Sequence, residues 1–208
     1  QRGKEIVISF TGTYPGQPED LLADFALASG TYIHDQLYQA ALYFEHIKAL
    51  YPDAQISFTG HSLGGGLAAL MGVLFNKSAT TFDPAPFRQS ASEDTRNKLI
   101  TYLGQNGFQD ADVAGFTSDI GHPNAPPGIR GEGNVSNYST QGEFLTNFAS
   151  NALRINPSSL YVLKHGSPDV AGVDLHSITL LTAFLQNDEF RKTTFKLPNL
   201  LREIFDSK

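Results

Sequence analysis

The chain has 208 residues, 40% of them hydrophobic, and a formal net charge of −6. That length fits one domain with a sizeable core. The acidic balance offers no basic patch for nucleic acid or an acidic membrane surface, but it leaves a neutral lipid partner open. Cysteine is absent, which excludes disulfides and thiolate metal sites, and no apolar run reaches the length of a transmembrane helix.

The chain begins at Gln1 without a leader-like segment and enters an apolar run within a few residues, so it reads as a processed or excised domain. The spacing of β-branched and aromatic residues predicts five buried strands, at Ile6–Phe10, Gln55–Thr59, Thr80–Asp83, Asn134–Tyr138 and Leu160–Lys164. Between the first two, Ile33, Leu37, Ala41, Phe44, Ile47 and Tyr51 recur at helical spacing, and Pro52 stops that helix. Leu67, Leu70, Met71 and Leu74 form a second helical stripe, and LHSITLLTAFL from Leu175 a third. Strands alternating with helices imply a mostly parallel sheet joined by right-handed crossovers. The expected class is α/β, with all 208 residues in one domain. Residues 87–133 are long for a plain crossover and end in a Gly/Pro-rich loop, so they are expected either to form a cap or lid or to be a surface crossover with small helices.

Ile56 to Ala68 read ISFTGHSLGGGLA, with Gly60-His61-Ser62-Leu63-Gly64 at the centre. A G-x-S-x-G pentapeptide between an apolar strand and an apolar helix is the setting of a nucleophile elbow. The sharp turn would expose Ser62 Oγ above the sheet, with Gly60 and Gly64 letting the neighbouring backbone pass without a Cβ. The next N–H, on Leu63, would lie at the positive end of the helix and face a developing oxyanion. A second donor should come from the loop after the first strand, where Gly12 permits an unusual turn and Thr13 offers its N–H and hydroxyl.

A nucleophilic serine needs a base, and the base an orienting acid. His176 follows the last strand by a loop and opens a helix, which is the expected position of the base. His165 directly ends that strand and is the alternative; His34 and His46 lie upstream of the serine, His61 inside the elbow and His122 in the expected cap. For the acid, Glu143 follows the fourth strand, between serine and histidine in chain order, while Asp83 ends the third strand within FDPAP and is the second candidate. Asp119, Asp169 and Asp174 are less well placed, and Asp174 also reads as the N-cap of the helix carrying His176.

Taken together, these motifs resemble the class 3, fungal-type lipases and their bacterial relatives. IVISFTGT is similar to that family's first strand and oxyanion loop, with Thr11 where the family usually has arginine, and EDLLADF to the short helix that follows. DQLYQAALYFEHIKALYPDAQISFTGHSLGGGLAA, Asp35 to Ala69, matches the long helix, its Tyr-Pro stop, the nucleophile strand and the elbow. TTFDPAPF is similar to the next strand, though the family more often has glycine at position 83, and its FDPA also resembles the acid-bearing strand end of pancreatic-type lipases. NYSTQGEF resembles the acid loop, with Glu143 in place of an aspartate, and VDLHSITLL the histidine region. The resemblance implies an α/β-hydrolase fold, a Ser/acid/His triad, cleavage of carboxylic esters of lipids at a lipid–water interface, and no cofactor or metal. It extends to bacterial domains carried within larger secreted proteins. Triacylglycerol lipase, phospholipase A1 and soluble esterase or thioesterase share this chemistry. The rival of another class is a catalytically silent lipase-like binding module.

Overall fold

The computed structural model describes residues 4–12, 33–113, 131–143, 145, 155, 160–163, 176–178 and 182. Five strands lie in sequence order in one sheet: β1 (Glu5–Phe10), β2 (Gln55–His61), β3 (Ala79–Phe82), β4 (Val135–Thr140) and β5 (Leu160–Leu163). Every neighbouring pair is parallel. Each strand was expected from its β-branched and aromatic content, with ends shifted by one or two residues. The helices are α1 (Ile33–Leu50), α2 (Ser62–Leu74) and α3 (Glu93–Gln105). In a sequentially ordered parallel sheet, right-handed crossovers carry successive helices to one face. In agreement, α1 packs against both α2 and α3.

In α1, Leu37, Ala40, Ala41 and Phe44 are buried at spacings of three and four, while Tyr43 and Leu50 stay exposed. Tyr51 still donates its N–H to Ile47 at 2.9 Å, and Pro52 then disfavours the helical conformation of the residue before it. α2 is apolar all round because it is buried all round: every residue except Leu63 is inside. Phe44, Phe58 and Phe75 join α1, β2 and the end of α2 through ring contacts of 5.3 and 4.6 Å. A polar link crosses this core, where Thr81 Oγ1 meets Asn137 Oδ1 at 2.6 Å and Asn137 Nδ2 donates to the Ile155 carbonyl at 2.8 Å.

α3 lies within the stretch expected as a cap. Ser92 caps its N-terminus by accepting the Thr95 N–H at 3.2 Å, and Glu93 and Asp94 place negative charge in the first turn. Its Leu99 and Leu103 are fully buried in the common core, and Tyr102 stacks on Tyr38 of α1 at 4.7 Å. Residues 114–130, the remainder of the expected cap before the next described turn, lie outside the described residues. Among the described residues, no helix is long and apolar enough to cross a membrane.

Parallel pairing brings all carboxyl ends of the strands to one edge. Phe10 sits beside Gly60, His61 beside Phe82, and Phe82 beside Tyr138. In open parallel sheets this edge is where ligands bind, and Ser62, Asp83 and Glu143 follow strands there.

Candidate active site

Ser62 is the first residue of α2 and directly follows β2. Its φ is +55°, a left-handed conformation that is uncommon for a residue with a side chain. The strand-to-helix reversal imposes it, and strain of this kind, of order 1–3 kcal/mol, persists only where the surroundings over-determine it. Two glycines do so here. A Cβ on Gly60 would run into the backbone of Gly64, and one on Gly64 into the backbone of Phe10 at the end of β1. Elbow and β1 therefore touch backbone to backbone. The Ser62 carbonyl is pinned by the Ala85 N–H at 2.9 Å, which ties the elbow to the loop after β3.

His176 Nε2 lies 2.8 Å from Ser62 Oγ, and His176 Nδ1 lies 3.0 Å from Glu143 Oε2. All three side chains are buried, Glu143 completely. Glu143 is delivered by a tight turn after β4: Gly142 takes φ +78°, and the Glu143 N–H returns to the Thr140 carbonyl at 3.1 Å. The same Oε2 accepts the Leu145 N–H at 2.7 Å, which fixes the carboxylate before the imidazole meets it. With Glu143 ionised, Nδ1 carries the proton and donates, leaving the Nε2 lone pair for the Ser62 hydroxyl.

Asp83, the other candidate acid, does not contact His176 Nδ1 in this arrangement. It too is fully buried and left-handed, with φ +41°. Its Oδ1 accepts the Thr140 N–H at 2.8 Å, and its Oδ2 faces His61 Nε2 at 3.9 Å. His61 lies against His176, with ring centroids 4.7 Å apart and planes tilted by 39°. Burial first, and the neighbouring His176 second, lower the pKa of His61 to about 4, against smaller raising effects of a hydrogen bond to the His176 backbone and of the Glu143 charge. The His61 imidazole is therefore neutral near pH 7. From the sequence, His61 reads only as a residue inside the elbow. Its pairing with Asp83 was legible only through sheet order: once β2 and β3 are neighbours, residues 61 and 83 emerge side by side.

For the oxyanion, Leu63 follows the serine in the first turn of α2, and the His61 side chain makes no capping hydrogen bond to that turn. Gly12 lies close by: a Cβ there would sit 3.4 Å from Ser62 Cβ and 3.8 Å from the Leu63 nitrogen. Thr13, the expected second donor, is outside the described residues, as are His122, His165, Asp119, Asp169 and Asp174. His46 is spent elsewhere, its Nδ1 at 2.8 Å from the Leu42 carbonyl and its ring against Phe108.

A parallel α/β sheet with a left-handed serine at the strand-to-helix junction defines an α/β-hydrolase of the lipase class. Over residues 1–179 the sequence matches the Tle-like phospholipase domain, and the chain belongs to that phospholipase-like family. Shorter stretches are similar to three fungal proteins. "Putative lipase atg15" of Penicillium rubens is 42% identical over 53 residues, covering 25% of this chain and 8% of that protein. "Putative lipase ATG15" of Mycosarcoma maydis is 41% identical over 61 residues, 28% of this chain and 12% of that protein. The protein of the same name from Candida glabrata is 46% identical over 50 residues, 24% of this chain and 10% of that protein. The matches thus span only 8–12% of the length of these relatives.

Proposed function

We propose that this domain is a serine hydrolase that cleaves carboxylic ester bonds of lipids, with acyl esters of glycerophospholipids or triacylglycerols as substrates. Ser62 Oγ attacks the ester carbonyl while His176 Nε2 takes its proton. Glu143 holds the Nδ1–H tautomer and stabilises the imidazolium as it forms. The N–H groups of Leu63 and Thr13 receive the oxyanion, each donor contributing roughly 2.7–4 kcal/mol to the transition state. Collapse of the tetrahedral species expels the alcohol, protonated by His176, and leaves an acyl-serine. Water, activated by the same histidine, then releases the fatty acid.

The observation that carries this reading is the continuous contact from Ser62 through His176 to Glu143, at 2.8 and 3.0 Å, on a serine held left-handed at φ +55°. Membership in a phospholipase-like family supports a lipid substrate. The test is labelling by a fluorophosphonate probe together with fatty-acid release from phosphatidylcholine vesicles and from a triacylglycerol emulsion. Ser62→Ala should abolish both labelling and release. Release that persists in Ser62→Ala would overturn the serine mechanism. Labelling without release from either lipid would overturn the substrate class.

A further inference from the structure

His176 has a second set of neighbours besides Glu143 and Ser62. Among the described residues, His61 Nε2 is buried without a hydrogen-bond partner. Opposite it, at 3.9 Å, stands Asp83 Oδ2, and a ring nitrogen of His176 lies within 4.8 Å of both. Each ligand is held from outside the cluster. Asp83 is fixed by the Thr140 N–H on its other oxygen and by its left-handed backbone. His61 is fixed as the last residue of β2, and His176 by Glu143. A buried imidazole nitrogen turned toward a carboxylate and a second imidazole is a costly arrangement for an apolar interior, and a divalent cation between the three would satisfy it.

We propose that His61, Asp83 and His176 form a zinc-binding site that takes the base away from Ser62. Two imidazoles and one carboxylate are the three-ligand set that zinc takes with a fourth position open. Calcium and magnesium prefer oxygen ligands throughout, and the site supplies a single carboxylate. Tetrahedral coordination at ordinary zinc–nitrogen and zinc–oxygen lengths needs ligand atoms about 3.3 Å apart, so small side-chain rotations close the cluster. Zinc bound through Nε2, the His176 nitrogen that faces Ser62 Oγ at 2.8 Å, occupies the lone pair that would take the serine proton. The ion is therefore an inhibitor rather than a cofactor. Binding stands on the cluster alone, whereas inhibition rests on the catalytic reading given above.

The experiment titrates zinc chloride into the chelator-treated chain by calorimetry and follows fluorophosphonate labelling of the same samples. Zinc should bind one per chain. His61→Gln and Asp83→Asn should each lose that binding, and labelling should slow as zinc fills the site and recover with EDTA. His61 is the more exposed of the two, so His61→Gln decides the matter if Asp83→Asn does not fold. Absence of binding to the unaltered chain overturns the proposal, as does zinc binding that His61→Gln leaves unchanged. A chain that fails to label without zinc overturns the serine-hydrolase reading instead, and calorimetry still decides the metal site.

Discussion

His176 Nδ1 meets Glu143 Oε2 at 3.0 Å, whereas the other buried carboxylate nearby, Asp83, faces the ring of His61 that lies beside His176. The two residues follow neighbouring strands, β4 and β3, and share the Thr140 backbone as an anchor: the Asp83 carboxylate accepts the Thr140 N–H, and the Glu143 backbone N–H donates to the Thr140 carbonyl.

That difference predicts unequal consequences of removing charge. Glu143→Gln keeps the shape but offers an amide to Nδ1, and the wrong tautomer then faces the serine. Turnover on short p-nitrophenyl esters should fall by about 10³ to 10⁴ with KM little changed. Asp83→Asn should lower turnover far less. Steady-state kinetics of the two variants check this, and the reverse ranking would move the orienting role to Asp83.

The elbow is sterically closed around its glycines. Gly64→Ala places a methyl against the carbonyl of Phe10, which belongs to a strand and has little freedom to retreat. The variant should lose roughly 2 kcal/mol of stability or more, read as a lowered urea midpoint at unchanged slope. Labelling of Ser62 should fall with it, since the same contact positions the serine against β1.

Leu99 and Leu103 of α3 are fully buried between α3 and the rest of the core. Truncating either to alanine should cost about 2–5 kcal/mol of folding stability, measured by urea unfolding. If α3 were instead a free cap, the same changes would leave the unfolding curve in place and alter only the rate on lipid aggregates.

His61 makes stability depend on pH. In the unfolded chain it takes a proton near pH 6.5, whereas in the fold it does so only at about pH 4. Between these values the unfolded state binds the additional proton, so stability is complete above about pH 6.5 and declines as pH falls toward 4. The full loss is at most on the order of 3 kcal/mol for one proton. Asp83, His176 and Glu143 face His61, so the difference between the unaltered chain and His61→Gln isolates its share. The comparison belongs in chelator-treated protein, with urea midpoints taken across the interval. Equal slopes in the two chains would show that His61 is not the group responsible.

The sequence by itself determined the local elements and the strand-to-helix turn that carries Ser62. Strands alternate with helices, and the periods of two and 3.6 are written in side chains whose burial does not depend on distant partners being named. The elbow is legible for the same reason: Gly60, Ser62 and Gly64 answer a steric demand set within a few residues. The placement of α3 was not legible, because Leu99 and Leu103 could serve equally as the underside of a cap or as core, and only packing on α1 distinguishes the two. Nor was the acid. Glu143 and Asp83 both end parallel strands at the same edge of the sheet, and chain order cannot say which carboxylate reaches Nδ1. The turn at Gly142 carries Glu143 to Nδ1, whereas Asp83 faces the ring of His61. Contacts among residues 61, 83, 143 and 176 span three strand ends and a distant loop, and they exist only once the sheet has brought those ends together.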